Sequence, residues 1–244
     1  ITLKRHAAAL LDAVDEVIVS LDGAGDTHDA IRNLPGAFAR LSDGVRALKD
    51  IDSRFPVSGR CVIHKWNFRS WPLIVSAAKE MGLDSISFLP ADVSSEAFNR
   101  AGSWPTDRQA DVLIPEEELR DLLGVIETLI ISGEDDFRRG FILESPAKIR
   151  RIGAYYLAVY GRAAFPAKKC NAPWVSAVVE PNGDVRPCFF QPVIGSIRDG
   201  DLETVINNRK AVALRKSLSV ADDETCRRCV CALHLPPTKR LAIP

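Results

Sequence analysis

The sequence predicts an α/β chain in two parts: a parallel-sheet half, then a small α+β unit built on a β-hairpin. Three observations carry this. The first ninety residues run strand, helix, strand, helix, strand after an opening helix. Near residue 166 the pattern changes to short alternating strands around a turn. Five of the six cysteines fall in that last part, at positions 170, 188, 226, 229 and 231.

Residues 3–14 (LKRHAAALLDAV) space Ala and Leu as a helix does, and 16–21 (EVIVSL) make a short β-branched strand ending at Asp22-Gly23. In LPGAFARLSDGVRALKD, Phe38, Leu41, Val45 and Leu48 share one helical face. GRCVIHKWN (59–67) reads as the second strand. Residues 71–81 form a helix stopped at Gly82, where a left-handed residue is expected. SISFLP (85–90) is the third strand. Strand–helix–strand order implies right-handed crossovers and a parallel sheet. Three strands with one set of helices leave an edge open, so further strands are expected before residue 1. The first residue is Ile rather than Met, which fits a processed chain or a fragment.

Residues 91–112 read as a polar loop, and 115–132 and 145–161 as helices bracing the sheet. The hairpin is WVSAVVE-PNG-DVRPCFF, turning at Asn182-Gly183. IGSI follows, then short helices near 201–207 and 208–218. The expected divisions are 1–110 for the sheet half, 111–165 for the bracing helices and 166–244 for the small unit, whose core is too slight to stand without a staple.

Composition excludes several classes. Lys plus Arg and Asp plus Glu both number 32, so the chain lacks the basic excess of a nucleic-acid groove. Its longest apolar run, LLGVIETLIIS, is too short for a bilayer and carries Glu127. No secretory leader opens the sequence, which favours the cytoplasm, and there clustered cysteines read as metal ligands or catalytic thiols.

Folding the hairpin brings Cys170 and Cys188 together, and Cys226-x-x-Cys229 grips from one tight turn. Four thiolates suit Zn²⁺ or an iron–sulfur cluster, and spacing alone puts zinc ahead. Lys168, Lys169, Arg186, Arg227 and Arg228 lie within two residues of these cysteines, as charge-balancing cations or as ordinary surface. Cys231 is a spare thiol, or a replacement for Cys229; Cys61 reads as a core residue. One reading is therefore a non-enzymatic binding module with a structural zinc site.

The stretch VDEVIVSLDGAGDTHDAIRNLPGAFARLSDGVRAL resembles the middle of radical S-adenosylmethionine (radical SAM) enzymes, where a strand ending SLDG precedes an HDxIR segment. The pattern Cys-x12-Gly-x4-Cys, a gap, then Cys-x2-Cys is similar to their SPASM/twitch extension. This resemblance reverses the preference for zinc. It implies an incomplete (β/α)6 partial barrel followed by a small twitch/SPASM domain holding one auxiliary [4Fe–4S] cluster on Cys170, Cys188, Cys226 and Cys229. It implies an oxidoreductase that abstracts hydrogen with a 5′-deoxyadenosyl radical derived from S-adenosyl-L-methionine (AdoMet). The auxiliary cluster would transfer electrons. The implied substrate is a peptide or a small alcohol or sugar, and the implied electron donor a flavodoxin or ferredoxin. By the same resemblance Ser20 and Asp22 face the AdoMet ribose and Arg32 its methionine carboxylate. Asn67, at the end of the second strand, and Leu89 pack the adenine. The Cys-x3-Cys-x2-Cys motif that holds the AdoMet-cleaving cluster does not occur in these 244 residues, so the chain as given is expected not to cleave AdoMet alone.

Overall fold

The structure is a computed structural model that describes residues 2–94 and 104–236. The polar loop expected over 91–112 therefore lies partly outside the described residues, as do positions 237–244. The chain divides into two compact units, one of residues 1–91 and 110–164, the other of 92–109 and 165–244. It is mixed α/β with two small sheets.

In the first unit, helix α1 (Ala7–Ala13) leads to strand β1 (Val17–Ser20), then α2 (Asp26–Ile31), α3 (Ala37–Ile51), β2 (Val57–Ile63), α4 (Trp71–Glu80) and β3 (Ser85–Pro90). The sheet order is β1-β2-β3, all parallel. Two expectations are corrected at β2. It starts two residues before the predicted position and ends at Ile63, so Asn67 lies in the turn beyond the strand rather than closing it. Helix α4 stops as expected: Gly82 has a φ of +83°, a conformation costly for any residue with a Cβ.

Strand pleating gives the sheet two different faces. Val19, Cys61, Ile63, Ile86 and Phe88 are buried on one. The register Ser20↔Arg60 and Val62↔Leu89 puts those four on the other, where Ile18 is 53% exposed. Segment 141–143 pairs with β3 through Ile86 N to Phe141 O (2.7 Å) and Leu143 N to Ile86 O (3.0 Å), a short parallel bridge the sequence did not announce.

After α5 (Thr106–Ala110), the first unit is completed by α6 (Leu119–Ser132), α7 (Glu134–Arg138) and α8 (Pro146–Val159). Ser145 caps α8 by accepting from Lys148 N, with Pro146 at its first turn. Tyr156 on α8 donates to Ile63 O at 2.5 Å and accepts from Ala91 N at 3.1 Å, so one buried hydroxyl staples the ends of β2 and β3. The core around it is large, with Trp71, Phe68, Leu21, Leu48 and Ile74 fully buried.

The second unit contains α9 (Ala172–Val175), β4 (Val178–Val179), β5 (Asp184–Arg186), β6 (Gly195–Ser196), α10 (Leu202–Ile206), α11 (Arg209–Ser217) and α12 (Glu224–Arg228). Strands β4, β5 and β6 pair antiparallel in that order. The hairpin turn closes through Gly183 N to Glu180 O at 2.8 Å, and Asn182 Oδ1 accepts from Asp184 N at 3.1 Å. Its apolar core is a cluster of Val185, Ile194, Val205 and Ala211, joined by Ile206 and Leu214. That is little for so many residues, and polar ties do most of the remaining organisation.

Candidate functional site

Each unit presents one constellation. In the first, the ends of β1 and β2 meet in a buried polar network. Asp22, just past β1, forms an ion pair with Arg32, and its Oδ1 accepts from Val62 N at 3.4 Å. Asp22 N donates to His28 Nδ1 at 3.2 Å. Asn67 contributes four bonds: Nδ2 donates to Asp22 O (3.0 Å), Val62 O (2.9 Å) and Cys61 Sγ (3.7 Å), and Oδ1 accepts from His64 N (2.9 Å). His64 Nδ1 in turn accepts from Trp66 N at 3.3 Å.

Gly23 makes this packing possible, because a Cβ there would stand 2.8 Å from His28 N and from the Thr27 side chain. Burial lowers the pKa of both His28 and His64, with Asp22 opposing and Arg32 reinforcing it. Both rings accept a hydrogen bond at Nδ1, which fits the neutral tautomer with the proton on Nε2.

The structure thus brings Asp22, Arg32 and Asn67 into one cluster, with Ser20 and Leu89 on the open sheet face beside it. Arg32 spends its charge on Asp22, an engagement that sequence reading did not find. Cys61 is buried in the strand, and desolvation raises its pKa.

The second constellation contains the thiols. Cys170 is held from both sides. Lys168 donates to the carbonyls of Cys226 (3.1 Å), Arg227 (2.8 Å) and Cys229. Asn171 N donates to Leu233 O at 2.8 Å, and its side chain bonds the backbone of Leu235 at 2.7 and 2.9 Å. Gln191, three residues past Cys188, is buried and donates to Asp223 Oδ1 (3.2 Å) and Cys226 Sγ (3.4 Å). Asp223 also caps α12, accepting from Cys226 N at 2.8 Å. Cys231 N donates to Cys229 Sγ at 3.3 Å, while the Cys229 thiol donates to Cys231 O at 2.6 Å.

The thiols feel one another. Cys170 and Cys231 act on Cys188, and Cys188 acts on Cys226 and Cys229. Desolvation is the main cause that pushes Cys226 up to about 12, helped by Asp223. Desolvation likewise pushes Cys229 up to about 12, against Lys168 and the Cys231 backbone. Such half-buried thiols ionise readily only beside a strong positive centre, which is what a bound metal provides.

Among the described residues no three or more His, Cys, Asp or Glu side chains are placed to hold a single metal ion. One tetrahedral zinc would need its sulfurs within roughly 4 Å of each other, given a Zn–S bond of about 2.3 Å. The donor chemistry, thiols tied to one turn by Lys168 and Gln191, suits an iron–sulfur cluster as well as zinc.

Residues 170–230 match the SPASM family, described as an iron–sulfur cluster-binding domain. The match begins on Cys170 and ends one residue past Cys229. An AdoMet-dependent heme synthase of Methanosarcina barkeri (strain Fusaro) is 37% identical over 70 residues, which is 28% of this chain and 20% of that protein. Two solved structures share the fold. Native anSMEcpe with bound AdoMet superposes with a TM-score of 0.55 at 17% identity, covering 93% of this chain and 59% of that one. The form with AdoMet and the Cp18Cys peptide gives 0.52 at 18%, covering 93% and 61%. The chain thus spans a fifth of the curated relative and about three fifths of the solved ones. No helix among the described residues is long and apolar enough to cross a membrane.

Proposed function

We propose, on the premise of a radical SAM chain carrying a SPASM iron–sulfur domain that these matches support, that Cys170, Cys188, Cys226 and Cys229 hold an auxiliary [4Fe–4S] cluster. In the same reading the open face and strand ends of the first sheet form an AdoMet surface. When bound, the cofactors supply hydrogen abstraction by a 5′-deoxyadenosyl radical and a one-electron acceptor for the substrate. The protein supplies position and shelter.

Arg32 holds the Asp22 carboxylate, and Asn67 fixes the Asp22 backbone, so the segment after β1 is rigid before any ligand arrives. Ser20 offers a hydroxyl, and Leu89 an apolar surface, on the uncovered face. Four thiolates on one cluster leave no iron open, which favours electron transfer over substrate anchoring. A solved relative with a bound peptide puts a peptide ahead of a small alcohol or sugar as the substrate class. A flavodoxin or ferredoxin is the electron donor in this reading.

What supports the reading is the set of ties from Lys168, two residues before Cys170, and from Gln191, three residues past Cys188, to the Cys226–Cys229 turn. Anaerobic reconstitution of the full-length protein tests it by iron, sulfide and zinc content. Brown protein with equal iron and sulfide is expected. Cys229→Ser should lose the auxiliary cluster and Cys231→Ser should keep it. Colourless, zinc-loaded protein would replace this function with the structural zinc module.

A further inference from the structure

One half-buried cation beside the thiols has no carboxylate partner among the described residues. It is Lys168, two residues before Cys170. Its three carbonyl acceptors match the three N–H groups of an ammonium, whereas a neutral amine would leave one acceptor unfilled. Two other cations near the site are engaged elsewhere. Arg186 lies 3.3 Å from Glu180 and donates to Gln191 O at 3.0 Å. Arg228 lies 2.8 Å from Glu224.

We infer that Lys168 is a positioning residue for the auxiliary cluster: its ammonium pins the Cys226–Cys229 turn to the Cys170 segment and, as a fixed positive charge among thiolates, raises the cluster's reduction potential. This role rests on the reading of the four cysteines as cluster ligands. The three carbonyls belong to the end of α12, where the helix dipole is negative and where, among the described residues, only Cys226 O has a further backbone donor, Cys229 N at 3.3 Å. The ammonium answers both. On reduction, one electron from the external donor adds a negative charge to a site that is already negative. A nearby half-buried cation favours that state. Its removal favours the oxidised state.

The test uses the full-length holoprotein with Lys168→Gln, Lys168→Arg and Lys168→Met, measuring iron and sulfide content and a potentiometric titration followed by electron paramagnetic resonance. The auxiliary signal is the one lost in Cys226→Ser. Lys168→Gln should keep its iron, with the reduced-to-oxidised ratio at fixed potential falling about tenfold, or about 59 mV for one electron. Lys168→Arg should restore the potential, and Lys168→Met should load less iron. A Lys168→Gln protein titrating with wild type overturns the role. If Lys168→Gln loads no iron, Lys168→Arg decides: loading at the wild-type potential supports the role, and failure to load overturns it. Wild-type protein without an iron–sulfur cluster overturns the ligand reading itself, and is told apart by metal content alone.

Discussion

The strand-end network and the thiol cluster solve the same problem with opposite means. Asp22, Arg32 and Asn67 sit over a core of fully buried side chains such as Trp71, Phe68 and Leu21, so hydrophobic burial fixes the platform and polar groups only trim it. The unit that carries the thiols has a small apolar cluster centred on Val185, Ile194, Val205 and Ala211, and its cysteine-bearing segments are tied by Lys168, Asn171, Gln191 and Asp223. A site that must be rigid before its ligand arrives is built on a core. A site that receives a strongly bound inorganic group can leave part of its folding energy to that group.

The largest test of this contrast is to remove the metal. Cys188→Ser, or chelation, should expose residues 165–236 to hydrogen exchange while residues 17–90 stay protected. The unfolding midpoint of the second unit should fall by more than about 10 °C, given several degrees per kcal/mol for a unit of this size. Equal loss in both units would break the contrast. Next comes Trp71→Ala, which should cost about 4 kcal/mol of first-unit stability in denaturant melts yet leave iron loading of the second unit unchanged.

A smaller effect is expected for Asn67→Ala. It strips three hydrogen bonds from buried backbone groups and should cost about 2 kcal/mol, with weakened AdoMet binding by calorimetry. The smallest is the response to acid. His28 and His64 have pKa values lowered by burial, so below about pH 6.5 the unfolded chain binds more protons than the folded one. First-unit stability should therefore decline as pH drops through that value toward the folded pKa. His64→Gln should flatten the decline, and an unchanged slope in thermal melts would exclude His64 from it.

Sequence reading found what is local. SISFLP became β3 to the residue, Gly82 ended α4, and Asn182-Gly183 turned the hairpin, because each depends on near neighbours. It missed features whose partners are remote. The bridge from Ile86 to Phe141 and Leu143 is a parallel pairing across more than fifty residues of chain, with no turn signal to announce it. Asn67 was expected at a strand end but belongs to the turn after it, four positions beyond Ile63. Arg32 is assigned by resemblance to the AdoMet carboxylate and Lys168 to charge balance beside the cysteines. Their partners, Asp22 and the Cys226–Cys229 carbonyls, were not legible, since a sequence shows a cation without showing which acceptors surround it. Gln191 carried no signal at all; its bond to the Cys226 sulfur depends on how the chain returns after α11.

The way Lys168 and Asn171 clasp the 226–235 segment has a consequence for assembly order. Joining those segments closes a loop of roughly 60 residues, an entropic burden of about 3–4 kcal/mol that grows only with the logarithm of loop length. The hairpin turn and the short helices need no such closure and can form early. The clasp should therefore zip last, so that the segments bearing Cys170 and Cys226 stay apart until the rest of the second unit has formed.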